Sequence, residues 1–169
     1  MPDFSHIDAS GQPAMVDVGD KAVTRREAVA EAQVHLGAEV LKQLQGGEIH
    51  SAKGPVFATA IVAGTQAAKQ TSLLIPLCHH IALEKARIEI EPVDPERVRI
   101  RASMRATHKT GLEMEALTAV SIAALTLHDM CKALNPAIVI EQVRLLEKRG
   151  GKSDYTAPEK TAPLNTSAE

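Results

Sequence analysis

Aromatic side chains are nearly absent from this sequence, which contains no tryptophan, one tyrosine and two phenylalanines in 169 residues. Nucleic-acid bases stack on such rings, so their scarcity argues against a base-stacking function. The net charge of −2 also provides no overall attraction to nucleic acid or to an anionic membrane. From these two observations we predict no nucleic-acid partner. With 44% hydrophobic residues but few aromatic rings, the core must be built from alanine, valine, leucine and isoleucine.

Cysteine is scarce as well. Cys78 and Cys131 are too few for a disulfide scaffold, and the first residues have neither the basic nor the apolar region of a secretory signal. The longest apolar stretch, residues 114–134, is interrupted by charged and polar residues, which indicates a buried helix and not a membrane span. We expect a cytoplasmic protein without a membrane partner.

Apolar periodicity and proline positions predict the elements. The predicted helices cover residues 38–45, the segment between Pro55 and Pro76, and residues 114–134. The predicted strands cover residues 20–36, 82–91, 97–107 and 137–146. Hairpins and separate helices without strict βαβ alternation favour an α+β, ferredoxin-like fold, an antiparallel sheet covered by helices on one face. One domain is predicted over residues 1–155, followed by a disordered tail over residues 156–169.

Two candidate sites begin helices. Lys53 precedes the helix that starts near Pro55, where free N–H groups and the lysine would bind a phosphate; a solvated lysine before a cap is the structural alternative. Glu113 and Glu115 open the long helix, where they would either cap it or accept hydrogen bonds from the N–H groups of a guanine-like ring.

Three further candidates lie elsewhere. Cys78 and His79, in the segment LCHH, stand in a turn between a helix and a strand, and we predict no metal site because no second ligand pair has zinc spacing. Asp129 and Lys132 share a helical face and would form a structural ion pair or an acid–base couple. Lys148 and Lys152 flank a Gly-Gly turn that suits phosphate or belongs to a basic tail.

The length of the long helix constrains these sites. Glu115 and Asp129 are fourteen residues apart, which corresponds to about 21 Å along an unbroken helix. One small-molecule pocket cannot easily use both side chains from one chain. A shared site therefore requires a second subunit.

Several strings in order resemble one known family. MVDV, KAVTRREA, the KG before the first long helix, LIPLCH, KTGLEMEALTAVSIAALTLHDMCKA and VRLLEKRGGKS resemble the molybdenum cofactor biosynthesis protein C family, cyclic pyranopterin monophosphate synthase. The resemblance implies a lyase that converts 3′,8-cyclo-7,8-dihydro-GTP to cyclic pyranopterin monophosphate and diphosphate. It also implies a hexamer, a trimer of dimers, with active sites at a subunit interface.

The resemblance also assigns roles by motif. It implies that Asp129, Lys132 and Lys53 are catalytic, with Lys53 on the triphosphate. The substrate-binding residues it implies are Leu77, Cys78, His79, Glu113, Met114, Glu115, Lys148 and Lys152. No cofactor is required by the sequence, although Mg²⁺ is compatible with the triphosphate. The chain departs from the family at His80, His108 and His128, where proline, glycine and tyrosine are usual.

Two alternatives stay open. A non-catalytic oligomeric binder of a phosphorylated metabolite would use Lys53, Lys148 and Lys152 without the acid–base couple. A metal-dependent phosphohydrolase would use Cys78, His79 and Glu113 instead.

Overall fold

The computed structural model describes residues 11–158, so residues 1–10 and most of the predicted tail lie outside this range. The strands are β1 Thr24–His35, β2 His50–Ser51, β3 Gly54–Pro55, β4 Lys85–Pro92, β5 Arg97–His108, β6 Val139–Arg149 and β7 Tyr155–Thr156. The helices are α1 Ala38–Leu41, α2 Val56–Lys69, α3 Thr71–Leu74 and α4 Glu113–Cys131.

The main sheet has five antiparallel strands in the order β4-β5-β1-β6-β7. Its four long strands follow the sequence β1–α2–β4–β5–α4–β6, and this βαββαβ connection gives the ferredoxin-like arrangement. The predicted fold class is therefore confirmed. Strand β7 pairs with β6 at Lys148 and Glu147, so the described chain continues in the sheet beyond residue 155.

Side-chain alternation on β1 and β5 separates the two faces of the sheet. Residues 28, 30, 32 and 34 of β1 and residues 98, 100, 102, 104 and 106 of β5 are buried beneath the helices. We call this side the covered face. The opposite, open face carries a row of arginines on β5, at residues 97, 99, 101 and 105. Much of its positive charge is paired, since Arg97 contacts Glu141 at 3.0 Å and Arg99 contacts Glu91.

Helices α2 and α4 lie on the covered face and pack against each other through small side chains. Ala60 of α2 and Ala116, Ala119 and Ala123 of α4 are fully buried. Gly64 is the point of closest approach, because a Cβ there would lie 2.7 Å from the carbonyl oxygen of Ala119. A core without large rings is thus filled by bringing the backbones together.

Three predicted helix boundaries were wrong by several residues. Helix α1 ends at Leu41 because the next residues close tighter turns, such as Leu44 N–H to the carbonyl of Leu41 at 3.1 Å. The helix predicted up to Pro76 is divided at Gln70, where the hydroxyl of Thr71 donates to the carbonyls of Ala67 and Ala68.

Helix α4 ends at Cys131, three residues before its predicted end. Strand β6 also differs from the prediction, since it continues to Arg149 and includes Lys148. No helix within residues 11–158 is both long and apolar enough to cross a membrane.

Gly64→Ala tests the close helix contact. Alanine favours a helix interior over glycine by about 1 kcal/mol, yet the added methyl group would overlap the Ala119 carbonyl oxygen. We expect the clash to prevail and the free energy of unfolding to fall by about 1–3 kcal/mol, measured by urea denaturation. Gln66→Ala, on the exposed side of α2, is the control. A Gly64→Ala protein more stable than the wild type would contradict this packing.

Candidate active site

The C-terminal end of α4 carries a three-residue charge cluster. Asp129 accepts hydrogen bonds from Lys132 Nζ at Oδ1 and from Lys53 Nζ at Oδ2, each at 2.7 Å. Lys53 Nζ also donates to the Asp129 carbonyl oxygen at 3.3 Å. These contacts, chiefly the hydrogen bond from Lys132 and then that from Lys53, lower the pKa of Asp129 to about 2. The carboxylate is therefore ionised at neutral pH.

The predicted Asp129–Lys132 contact is confirmed, and it lies at the surface of the chain. An otherwise apolar helix carries this charged pair, yet all three side chains of the cluster are 54–55% exposed. An exposed ion pair contributes little to stability. The cluster is thus open to a ligand, or to a second subunit, in the isolated chain.

The β2–β3 hairpin brings Lys53 to Asp129. Its turn is closed by Ser51, whose hydroxyl accepts from Lys53 N–H at 3.1 Å and donates to the carbonyl of Gly54 at 3.2 Å. Gly54 has φ 114°, a conformation that favours glycine. The hairpin leads directly into α2, so the start of that helix sets the position of the lysine.

The first amides of α2 are already bound within the chain. Glu48 accepts hydrogen bonds from the N–H groups of Phe57 at 2.7 Å and Ala58 at 3.0 Å, and from its neighbour Ile49 at 2.8 Å. These N–H groups are therefore not free to bind a phosphate, because the Glu48 carboxylate caps the helix start. Phosphate binding by Lys53 itself stays a prediction. Any phosphate at this end would meet the Lys53 ammonium group.

The N-terminal end of α4 has a different character. Glu115 is only 3% exposed, and burial raises its pKa to about 7, with a smaller contribution from the negative charge of Glu113. Burial, followed by the charge of Glu115, raises the pKa of the Cys78 thiol. Both predicted residues thus lie close together, in a partly desolvated site where Glu115 can donate or accept a proton.

A cavity of about 540 Å³ lies beside this end of α4. Its charged lining consists of six cationic and two acidic side chains: Lys21, Arg26, Lys109, Lys148, Arg149, Lys152, Glu27 and Glu113. Three predicted residues meet here, since Lys148 Nζ lies 3.2 Å from Glu113 Oε1 and Lys152 lines the same cavity. The excess of positive charge suits a phosphorylated ligand.

The remaining predicted residues are half-buried, three of them in the turn after α3 and one in α4. Leu77, Cys78 and His79 precede the exposed His80, and Met114 lies in the first turn of α4. His80 contacts the hydroxyl of Ser72 at 3.4 Å. His79 lies close to His108, whose pKa is lowered by burial and by the charges of His79, Arg26 and Lys109.

Two contributors to the site were missed from the sequence. Arg26 lines the cavity, and the alternation of buried residues on β1, extended back from Ala28, would have placed it on the covered face. Glu48 gave no comparable signal, because its cap depends on a chain reversal at Gly46-Gly47. Among residues 11–158, no three or more histidine, cysteine, aspartate and glutamate side chains are arranged to hold a metal ion.

One chain therefore presents two clusters. Lys53, Asp129 and Lys132 lie at one end of the unbroken helix α4, and the cavity with Glu113 and Lys148 lies at the other. The structure brings together the members of each cluster, but it does not bring the two clusters together within one chain.

A comparison with protein-family models matches residues 15–151 to the model described as the MoaC family. The chain belongs to the MoaC family. This match includes Lys53, Asp129 and Lys132 and the cavity residues up to Gly151, and the resemblance drawn from the sequence strings is confirmed. MoaC family membership gives the chain a role in molybdenum cofactor biosynthesis and marks it as an oligomeric enzyme acting on a small molecule.

The buried carboxyl of Glu115 predicts a pH dependence of stability. Its pKa rises from 4.5 in the unfolded chain to about 7 in the folded chain. Between these values the folded state binds the extra proton, so the free energy of unfolding falls as pH rises, by up to about 3 kcal/mol. Glu115→Gln cannot titrate there and should lack this loss.

Urea denaturation of both proteins from pH 4.5 to 8 measures the difference. The two stability curves should diverge as pH rises towards 7 and run parallel above it, with Glu115→Gln the more stable. Parallel curves throughout the range would show that Glu115 keeps an ordinary pKa.

Proposed function

We propose that this MoaC family chain is a lyase that converts 3′,8-cyclo-7,8-dihydro-GTP to cyclic pyranopterin monophosphate with release of diphosphate. The observation that carries the proposal is the contact of Asp129 with both Lys53 and Lys132 at 2.7 Å. It joins a carboxylate and two ammonium groups in one exposed place, as proton transfer beside a polyphosphate requires. The proposed substrate and products come from the family resemblance.

The chemistry of this cluster follows from its charges. Two ammonium groups hold the pKa of Asp129 at about 2, which makes the free carboxylate a weak base. A triphosphate that draws Lys53 away would remove one of these contacts and raise the pKa of Asp129. Substrate binding would thereby strengthen Asp129 as a proton acceptor, with Lys132 as its remaining partner.

The other end of α4 suits the rest of the substrate. Lys148 and Lys152 contribute positive charge for phosphate oxygens and for the leaving diphosphate. The carboxyls of Glu113 and Glu115 would accept hydrogen bonds from the N–H groups of the ring system, and Leu77, Cys78, His79 and Met114 would line the pocket beside them. Half-protonated at neutral pH, Glu115 could also supply a proton as the ring is rebuilt.

A shared site follows from the geometry of α4. Glu115 and Asp129 are separated by about 21 Å of helix rise, and α4 runs without a break from Glu113 to Cys131. We therefore propose that each site takes its Asp129 cluster from one subunit and its Glu115 cluster from another. A hexamer, as a trimer of dimers, is the assembly we expect, and light scattering after size-exclusion chromatography would test it.

We propose no resident cofactor, and any Mg²⁺ would arrive with the triphosphate as part of the substrate. A cytoplasmic location agrees with the two free cysteines, Cys78 and Cys131, since unpaired thiols persist in a reducing compartment. Turnover that is unchanged in EDTA would support the absence of a resident metal cofactor.

Asp129→Asn tests the reaction. We expect a loss in turnover of about 10²–10⁴-fold, because the amide cannot take up the proton, and folding close to wild type, because the three side chains are exposed. Diphosphate release and pterin product would be measured with enzymatically made 3′,8-cyclo-7,8-dihydro-GTP. Glu39→Gln is the matched control, since it removes another exposed i,i+3 pair, Glu39 with Lys42 at 2.6 Å.

The alternative of a non-catalytic binder gives another result. Wild-type protein that is folded, oligomeric and binds the nucleotide, but releases no diphosphate, would support that alternative and reject the lyase. Equal turnover by Asp129→Asn and the wild type would retain the reaction but remove Asp129 from its chemistry.

Mixed oligomers test the shared site. Glu115→Gln and Asp129→Asn would be co-expressed with different affinity tags, so that hetero-oligomers can be isolated. If one two-fold interface builds two sites, random assembly leaves about one quarter of all sites with both native residues. We expect activity near that fraction of wild type, well above either variant alone. Activity no higher than the average of the two variants would place both residues in a site of one chain.

A further inference from the structure

Arg26 lies between two turns that line the cavity, residues 109–111 after β5 and residues 150–153 after β6. Its Nε donates to the carbonyl oxygen of His108 and its terminal nitrogen to that of Lys109, each at 3.2 Å. A guanidinium group can bind two successive carbonyls in this way because its donors are fixed in one plane, whereas a lysine ammonium group is a single flexible charge. The first turn, between β5 and α4, is therefore held to β1.

The same guanidinium group also contacts the second turn, at the end of β6. A Cβ on Gly151 would lie 2.7 Å from an Arg26 nitrogen, so the glycine allows this approach. Gly150, with φ 79°, comes still closer to β1, where a Cβ would overlap the carbonyl of Arg25. Thr24 strengthens the contact, since its hydroxyl donates to the Gly150 carbonyl at 2.7 Å.

Each turn determines where one partner of the Glu113–Lys148 pair stands. Glu113 follows the first turn, and its carboxylate folds over Gly111. A Cβ on Gly111 would overlap the Glu113 carboxylate, so the glycine allows this position. Lys148 precedes the Gly150-Gly151 turn on β6. The ion pair between them, at 3.2 Å, spans the cavity that Arg26 also lines.

We propose that Arg26 is a positioning residue, which sets the separation of Glu113 and Lys148 by holding the β5–α4 turn and the Gly150-Gly151 turn to one strand. Arg26 acts on the site through Glu113 and Lys148. Its hydrogen bonds to two successive carbonyls need a planar guanidinium group, so the shape of the side chain matters in addition to its charge. The consequence for substrate binding rests on the proposed function, whereas the connection between the turns does not.

Hydrogen exchange on the full-length protein without substrate tests that connection directly. In Arg26→Gln and Arg26→Lys, amides in residues 108–113 should exchange about tenfold faster, because each variant loses the charge-assisted hydrogen bonds to the His108 and Lys109 carbonyls. Amides in residues 148–153 should also exchange faster, because each variant removes the guanidinium group that packs against Gly151. Amides in the buried parts of α2 and α4 should keep their wild-type rates. Arg25→Gln is the control, since the neighbouring Arg25 is exposed and pairs with Glu27 at 2.6 Å.

Steady-state kinetics then test the role in the site. Misplaced binding groups should raise KM about tenfold to a hundredfold in both Arg26 variants, with kcat changed less, and Arg25→Gln should match the wild type. An Arg26→Lys protein with wild-type exchange and KM would overturn the proposal, leaving Arg26 as a simple positive charge. Faster exchange throughout the chain would also overturn it, since Arg26 would then support only the fold.

The two proposals can fail separately. If the wild type releases no diphosphate, the proposed reaction fails, while local exchange in the Arg26 variants still decides whether Arg26 holds the turns. If turnover is present and exchange in both turns is unchanged by Arg26→Gln, the positioning role fails alone.

Discussion

Helix α4 keeps two groups of polar side chains apart, and the arrangement of the candidate site depends on its rigid length. The helix is held in place by a face of small residues, including Ala116, Ala119 and Ala123, which let it lie close to α2 and to the sheet. With few aromatic rings available to fill space, close backbone approach is how this core reaches native density. The positions of Glu115 and Asp129 are consequences of that packing.

The two ends of α4 shift the pKa of a carboxyl in opposite directions by different physical causes. Asp129 is exposed and is held ionised by two ammonium groups, whereas Glu115 is buried and is held closer to neutrality by the loss of water. Separated environments of this kind allow two carboxyls to perform different proton transfers at one pH. In the proposed reaction, a subunit interface would bring these two environments to one substrate.

Local patterns predicted much of the fold. The apolar residues of β5 alternate at positions 98, 100, 102, 104 and 106, and these are its five buried positions, because a half-buried strand repeats every two residues. The predicted Asp129–Lys132 contact depended only on helical spacing, and it is present. Helix ends were predicted less well, since the break at Gln70 depends on the hydroxyl of Thr71 binding carbonyls of the preceding turn.

The sequence by itself determined the fold class, the family, the faces of the strands and the separation of Glu115 from Asp129, because these properties follow from periodicity, from motif order and from helix rise. Only the tertiary structure decided which distant residues meet. Lys53 reaches Asp129 because a hairpin packs beside the end of α4, and Glu48 occupies the α2 amides because the chain reverses before that helix. Arg26 joins two turns that are far apart in sequence because β1 lies between β5 and β6. Such contacts depend on strand order and packing, which no local pattern contains.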